Sequence, residues 1–272
     1  MDPLSLDSIG HYSLEWVKRF YEQTGIWWGA DPQDEGTHAQ RVEIIARLVG
    51  SGPLDILDLG TGPGATAAAM ADAGHRVTAV EFSASRSAFA RQLAAQPHKG
   101  SLTVLEADFY TLDLNQQFDL VTYWDGFGVG TDADQRRLLV RVAREWLKPQ
   151  GCLLMDVFNP FKAALDNGHE EVLEPLPGVD GSVKMINRHY FDPENSRWID
   201  EWQPVDHPDQ ALAQTLRCYS PVDLQLLLED TGLEIVHMES EGRLIPLGAN
   251  LVRKGDSILT DWCYLVKLKK KP

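Results

Sequence analysis

The chain has 272 residues, 43% apolar and 24% charged, ordinary values for a globular protein able to bury a full core. Its 40 acidic and 25 basic residues leave a formal charge of −15, which argues against stable nucleic-acid binding, because that needs Lys and Arg to displace counterions. Three cysteines far apart (Cys152, Cys218, Cys263) show no metal or disulfide spacing, and the acidic opening MDPLSLDSIG with no apolar run of about 18 residues gives neither a signal peptide nor a membrane span, so a cytoplasmic location is expected.

In chain order, residues 13–23 carry a helical stripe of Trp16, Val17, Phe20 and Tyr21, with Ser13 as cap and Gly25 as stop. After the loop GIWWGADPQDEG, residues 37–50 form a second helix with Val42, Ile45, Ala46 and Val49 on one face. From residue 54 the pattern alternates: strand LDILDL, helix 65–73 closed by Gly74, strand RVTAVE, helix 85–96, strand LTVLEAD and strand FDLVTYW. A long helix capped at Thr131 or Asp132 runs through Trp146, stopped by Pro149 and Gly151, before the fifth strand CLLMDVF. Short apolar strands alternating with helices imply right-handed crossovers and a doubly wound α/β sheet.

The pattern changes at 160–218. There SVKMINRHYFDPENSRWIDEWQPV alternates around the turn Asp192-Pro193-Glu194-Asn195, an antiparallel hairpin signature. Ser220-Pro221 opens another helix, and LEIVHMES and DWCYLVKLK end the chain as strands, followed by a basic tail, KLKKKP, that reads as solvated. The insert is expected over the C-terminal strand edge, where ligands bind in open α/β sheets.

The turn Gly60-Thr61-Gly62-Pro63-Gly64-Ala65 fits a dinucleotide pattern formally, and Glu81 lies where either an NAD site or its alternatives place an acid against ribose. Two other carboxylates discriminate. Asp58 sits inside an apolar strand two residues before the first glycine, where it would repel a pyrophosphate and favour a positively charged ligand. Asp108, in EADF, can accept an adenine amine, with Phe109 beside it either as a face for the ring or as core packing.

With these residues in this order and spacing, the chain resembles the class I S-adenosylmethionine-dependent methyltransferases, over roughly residues 40–160 and 220–272. The resemblance implies a Rossmann-like, doubly wound, mostly parallel seven-stranded sheet in one domain, 1–272. Residues 1–50 form a helical cover, 54–159 the cofactor core, 160–218 a substrate lid and 219–272 the rest of the core. It implies S-adenosyl-L-methionine as cofactor, with S-adenosyl-L-homocysteine as product, held by Asp58, Gly60, Thr61, Gly62, Gly64, Glu81, Phe82, Asp108, Phe109 and Trp124. Tyr21 resembles the tyrosine that many members lay over the methionine end, although helical packing explains it equally.

Aromatic walls suggest a flat or apolar small-molecule acceptor: Trp27, Trp28, Trp124, Phe127, Phe158 and Tyr190, with Trp198 and Trp202 as either walls or hairpin packing. His189 is the first candidate base, although a lone histidine is more often a surface or packing residue, then His11; Asp125 could orient an amine or hydroxyl or instead cap the following loop, and no metal is expected. The Asn/Asp-Pro-Pro-Tyr signature of adenine-amine methyltransferases is absent, YWDGFG standing in its place. The expected activity is methyl transfer to O, N or C of a small metabolite, with a tRNA- or protein-modifying enzyme of the same fold as the alternative.

Overall fold

A computed structural model describes residues 12, 14–27, 35–176, 181–246, 248 and 256–271. Two helices, α1 (Val17–Trp27) and α2 (Glu35–Leu48), precede the alternating segment. That segment comprises β1 (Asp55–Leu59), α3 (Ala65–Asp72), β2 (Arg76–Glu81), α4 (Ala84–Ala94), β3 (Ser101–Glu106), β4 (Phe118–Tyr123), α5 (Asp132–Arg141) and β5 (Leu147–Phe158). The insert follows as α6 (Pro160–Leu165), β6 (Glu170–Leu173), β7 (Met185–Asp192), β8 (Arg197–Pro204) and β9 (Leu212–Arg217). Then come α7 (Pro221–Leu227), β10 (Leu233–Ser240), β11 (Arg243–Leu244) and β12 (Cys263–Lys270).

The main sheet runs β11-β10-β12-β5-β4-β1-β2-β3, with β3, β2, β1, β4 and β5 parallel and β12 antiparallel to both neighbours. It has eight strands rather than the expected seven, because the two residues of β11 add an edge to β10. Strand residues alternate between two cores. Ile56, Leu120 and Leu154 meet Ile45 of α2 and Met70 of α3 on one face. Leu57, Val121 and Leu153 meet Leu139, Trp146 and Leu224 on the other. Burial on both faces explains why the strands read as continuous apolar runs.

Three local expectations need correction. The helix before β5 is α-helical only to Arg141 and continues as a π-helical turn over Val142–Trp146. β5 then starts at Leu147, and Pro149 and Gly151 lie inside it. Its pairing with β4 jumps from Phe118↔Leu147 to Leu120↔Cys152, so Pro149 falls in the unpaired bulge, where its missing N–H costs nothing. Gly25 does not stop α1, which carries Trp27 into a buried last turn, while Ser13 lies outside the described residues.

The insert forms a second, antiparallel sheet, β6-β7-β8-β9, whose β7–β8 hairpin turns where the sequence marks it. Asp192 stabilises that turn by accepting the N–H groups of Glu194 and Asn195. One residue fastens the sheet to the loop after β4. Arg197, 3% exposed, donates to the carbonyls of Gly130 (3.0 Å) and Gly128 (3.3 Å) and to the Thr215 hydroxyl. Trp16, just before α1, and Phe20 within it pack with Val129, Ile199 and Leu216, so helix, insert and loop share one apolar cluster.

Gly64 opens α3 with φ +90°, and a Cβ there would stand 2.7 Å from the Cβ of Ala90 and 2.9 Å from its Cα. Both strain and overlap oppose a side chain, because the backbone of α4 cannot step aside. Gly64→Ala should therefore destabilise the fold by about 2–4 kcal/mol. Thermal unfolding followed by circular dichroism should show a midpoint lowered by roughly 5 °C or more; an unchanged midpoint would contradict the close approach.

Candidate active site

The strand order reverses between β1 and β4, which opens a crevice at their C-terminal ends. A cavity of about 280 Å³ lies there, lined by the glycine turn, the end of β2, the loop after β4 and residues of α1, α2 and β9. Of the expected cofactor residues, Tyr21, Asp58, Gly60, Thr61, Gly62, Glu81, Phe82, Phe109 and Trp124 all line it.

Asp58 is 2% exposed and accepts the Thr122 hydroxyl at 2.6 Å. Burial pushes its carboxyl up, while the hydrogen bond opposes that shift. Glu81 is likewise buried, and burial raises its carboxyl against the bonds it accepts from the backbone. One of its oxygens takes the Ser83 N–H (2.7 Å) and the other the Gly62 N–H (2.8 Å). The carboxylate at the end of β2 thus shapes the glycine turn as well as facing the cavity. Phe109 packs edge-on against Tyr123 at 5.6 Å. Phe82 is partly exposed, with the Lys18 ammonium 5.7 Å from its ring. Gly64 and Asp108 are not among the lining residues: Gly64 faces α4, and one oxygen of Asp108 holds the Tyr110 N–H at 2.8 Å.

The opposite wall was only partly legible. Asp125 lines the cavity with a left-handed backbone, φ 56°, and its carboxylate pairs with Arg41 at 2.5 Å. Its N–H donates to Asp156 at 2.8 Å, and Asp156 stands 4.0 Å from the same guanidinium. Burial, then repulsion from Asp125, pushes the Asp156 carboxyl well above the carboxylate range. Burial works against the charge of Arg41, but Asp125 and Asp156 outweigh it. The Arg41 guanidinium also lies 5.1 Å from the Trp124 ring and donates to Thr66, which bonds His38 at 2.8 Å.

His38, Arg41, Arg86, Tyr123 and Gln214 line the cavity without having been singled out. A signal existed for two of them. His38 and Arg41 fall at helical spacing with buried Ile45, so two polar residues stand on the apolar face of α2. Nothing local marks Gln214, whose position depends on how the insert docks.

Several acceptor-side expectations are corrected. Phe127 is fully buried in the core between Tyr123 and Tyr219, because the turn at Asp125 directs it inward. Phe158 stacks on Trp198 at 5.4 Å instead of lining the cavity. His189 is also outside the lining. Its Nδ1 lies 2.7 Å from Asp166, and its ring meets Trp198 and Trp262 edge-on. Tyr190 falls on the opposite face of β7 and is exposed, as strand alternation requires. Trp27 is buried away from the cavity, whereas His11 and Trp28 lie outside the described residues.

The cavity suits a cationic, adenosine-sized ligand. Two buried carboxylates, Asp58 and Glu81, flank the turn, and the rings of Tyr21, Phe82, Phe109, Tyr123 and Trp124 line the cavity. Of the arginines lining it, Arg41 is paired with Asp125 and Arg86 lies over the Tyr21 ring. The buried indole N–H of Trp124 has no hydrogen-bond partner among the described residues and is one donor left for a ligand or water.

Comparison with known proteins agrees. Residues 56–151 match the family described as "Methyltransferase domain". A curated relative, the cypemycin N-terminal methyltransferase of a Streptomyces species, is 32% identical over 121 residues, covering 43% of this chain and 48% of its own length. The match thus spans about half of that relative. The CcbJ methyltransferase of Streptomyces caelestis superposes with a TM-score of 0.71 at 20% identity, over 96% of this chain and 98% of the other. The glycopeptide N-methyltransferase MtfA, solved with S-adenosyl-L-homocysteine, gives 0.59 at 23% identity, over 88% and 91%. With Asp58 ahead of the glycine turn and Glu81 closing upon it at the switch point of this sheet, the family match identifies residues 56–151 as a class I S-adenosylmethionine-dependent methyltransferase domain.

Proposed function

We propose that the chain transfers a methyl group from S-adenosylmethionine to the nitrogen of an amine carried by a small or peptide-like molecule. The observation that carries this reading is the Asp125 carboxylate, held on the cavity wall by Arg41 at 2.5 Å. When bound, the cofactor supplies a methyl already activated by its sulfonium. The protein's task is therefore to position the acceptor and remove its surplus proton. Asp58 faces the ligand's positive charge, Glu81 its ribose hydroxyls, and Phe82 and Phe109 the adenine. Asp125 draws in an ammonium group, orients it and receives its proton, and Arg41 holds the Asp125 carboxyl in place through their 2.5 Å contact.

Hydroxyl acceptors fit less well. The lining phenols, Tyr21 and Tyr123, are pushed up by burial and do not ionise near neutral pH. An amine needs no strong base once its extra proton is gone. The names of the cypemycin N-terminal and glycopeptide N-methyltransferases support nitrogen as the target. A peptide N-terminus is thus a second reading for the molecule bearing the amine. The charge of −15 weighs against tRNA.

Two outcomes test this. Asp58→Asn and Glu81→Gln should each weaken S-adenosyl-L-homocysteine binding in calorimetry by roughly ten- to a hundredfold, the cost of a lost charged hydrogen bond. Unchanged affinity in both would overturn the cofactor assignment. Incubation with radiolabelled methyl donor and amine-bearing metabolites or peptides should label a nitrogen. With that acceptor, Asp125→Asn should lower kcat by about 10²-fold or more, whereas His189→Gln should stay near wild type. The reverse ranking would restore His189 as base.

A further inference from the structure

Among the described residues, the insert adds one polar side chain to the cavity, Gln214 of β9, and its amide is held from both ends. Its Nε2 donates to Asp200 Oδ2 at 2.7 Å, and its Oε1 accepts the Tyr21 hydroxyl at 3.1 Å. Asp200 is an anchor of unusual quality for a hairpin residue. It is 3% exposed and also receives Asn187 Nδ2 (2.6 Å) and Trp202 Nε1 (2.7 Å), with His189 Nε2 standing at 3.6 Å. Because an indole N–H only donates, the oxygen that Gln214 shares with Trp202 is an acceptor. The amide of Gln214 must then present its N–H₂ to Asp200 and its carbonyl to Tyr21. The Tyr21 ring is fixed as well, by the Arg86 guanidinium 4.9 Å from its centroid and by the bond from Arg86 to the Tyr21 carbonyl.

We infer that Asp200, through Gln214, commits the Tyr21 hydroxyl proton to the insert, so that the phenolic oxygen meets the cavity as a hydrogen-bond acceptor and selects methyl acceptors bearing an N–H. This rests on the amine reading above and sharpens it. Asp125 and Tyr21 both line the cavity and both accept, so an incoming nitrogen with one or two N–H groups is gripped. A tertiary amine has no N–H to give once deprotonated, and methylation stops before the quaternary ammonium. Asp200 and Gln214 are positioning residues that act through Tyr21, and the insert thereby takes part in selecting the substrate.

Sinefungin tests this without knowledge of the acceptor. In that cofactor analogue a carbon bearing a primary amine replaces the sulfonium and its methyl, so an N–H donor stands where the methyl would be. The readout is the ratio of sinefungin to S-adenosyl-L-homocysteine affinity, measured by calorimetry on the full chain. Gln214→Leu should lower that ratio about tenfold, as should Tyr21→Phe, with no further loss in the double variant. Gln214→Glu, which still offers Tyr21 an oxygen, should retain most of it. Asp200→Ala, read only if its melting curve shows a folded protein, should behave as Gln214→Leu does. A ratio unchanged in Gln214→Leu, or lowered alike in Gln214→Leu and Gln214→Glu, overturns the inference. Wild-type protein that binds neither ligand would instead sink the methyltransferase reading itself.

Discussion

Glu81 closing on the glycine turn is the contact on which the site depends. Its two oxygens take the N–H groups of Gly62, in the loop after β1, and Ser83, which caps α4. One buried side chain thus joins the turn, the end of β2 and the start of the next helix. The cost of burying that carboxylate is offset by backbone donors that would otherwise lack partners. Asp58 repeats the arrangement on β1 with Thr122 of β4. Two adjacent strands, β1 and β2, on one side of the switch point therefore each place a desolvated carboxyl group at the crevice. A cationic ligand relieves that charge, and a pyrophosphate would add to it.

The other wall follows a different logic. Asp125 needs a left-handed backbone to face the cavity while Phe127, two residues on, enters the core. The loop keeps that shape because it is held from both directions. Arg41 of α2 pairs with the Asp125 side chain, and the insert's Arg197 holds the carbonyls of Gly128 and Gly130. The shape of this loop thus depends on two arginines distant in sequence, one in α2 and one in the insert. Both are buried, and each also donates to a threonine hydroxyl, Arg41 to Thr66 and Arg197 to Thr215.

The aromatic residues of the insert divide by strand geometry. Trp198 packs with Phe158 and Trp262, and Trp202 donates to Asp200. Tyr190 turns outward on the opposite face. Trp198 and Trp202 thus contribute to the insert's own packing. What reaches the cavity from β9 is an amide.

The sequence by itself determined what is local. Continuous apolar runs, a glycine turn and cap residues specify strands, helices and their order, since each depends on neighbours within a few positions. Asp58, Glu81 and the glycines were legible for the same reason: strand ends and a tight turn fix them relative to one another. The tertiary structure decided what depends on packing between distant segments. Arg41 and Asp125 are 84 residues apart and Tyr21 and Gln214 are 193 apart, and no periodicity connects them. The same holds for His189, which Asp166 takes away from the cavity, and for Phe127, which one left-handed residue turns into the core. The sequence supplies the donor and acceptor groups, but which of them meet is set by how the insert and the two helices dock on the sheet.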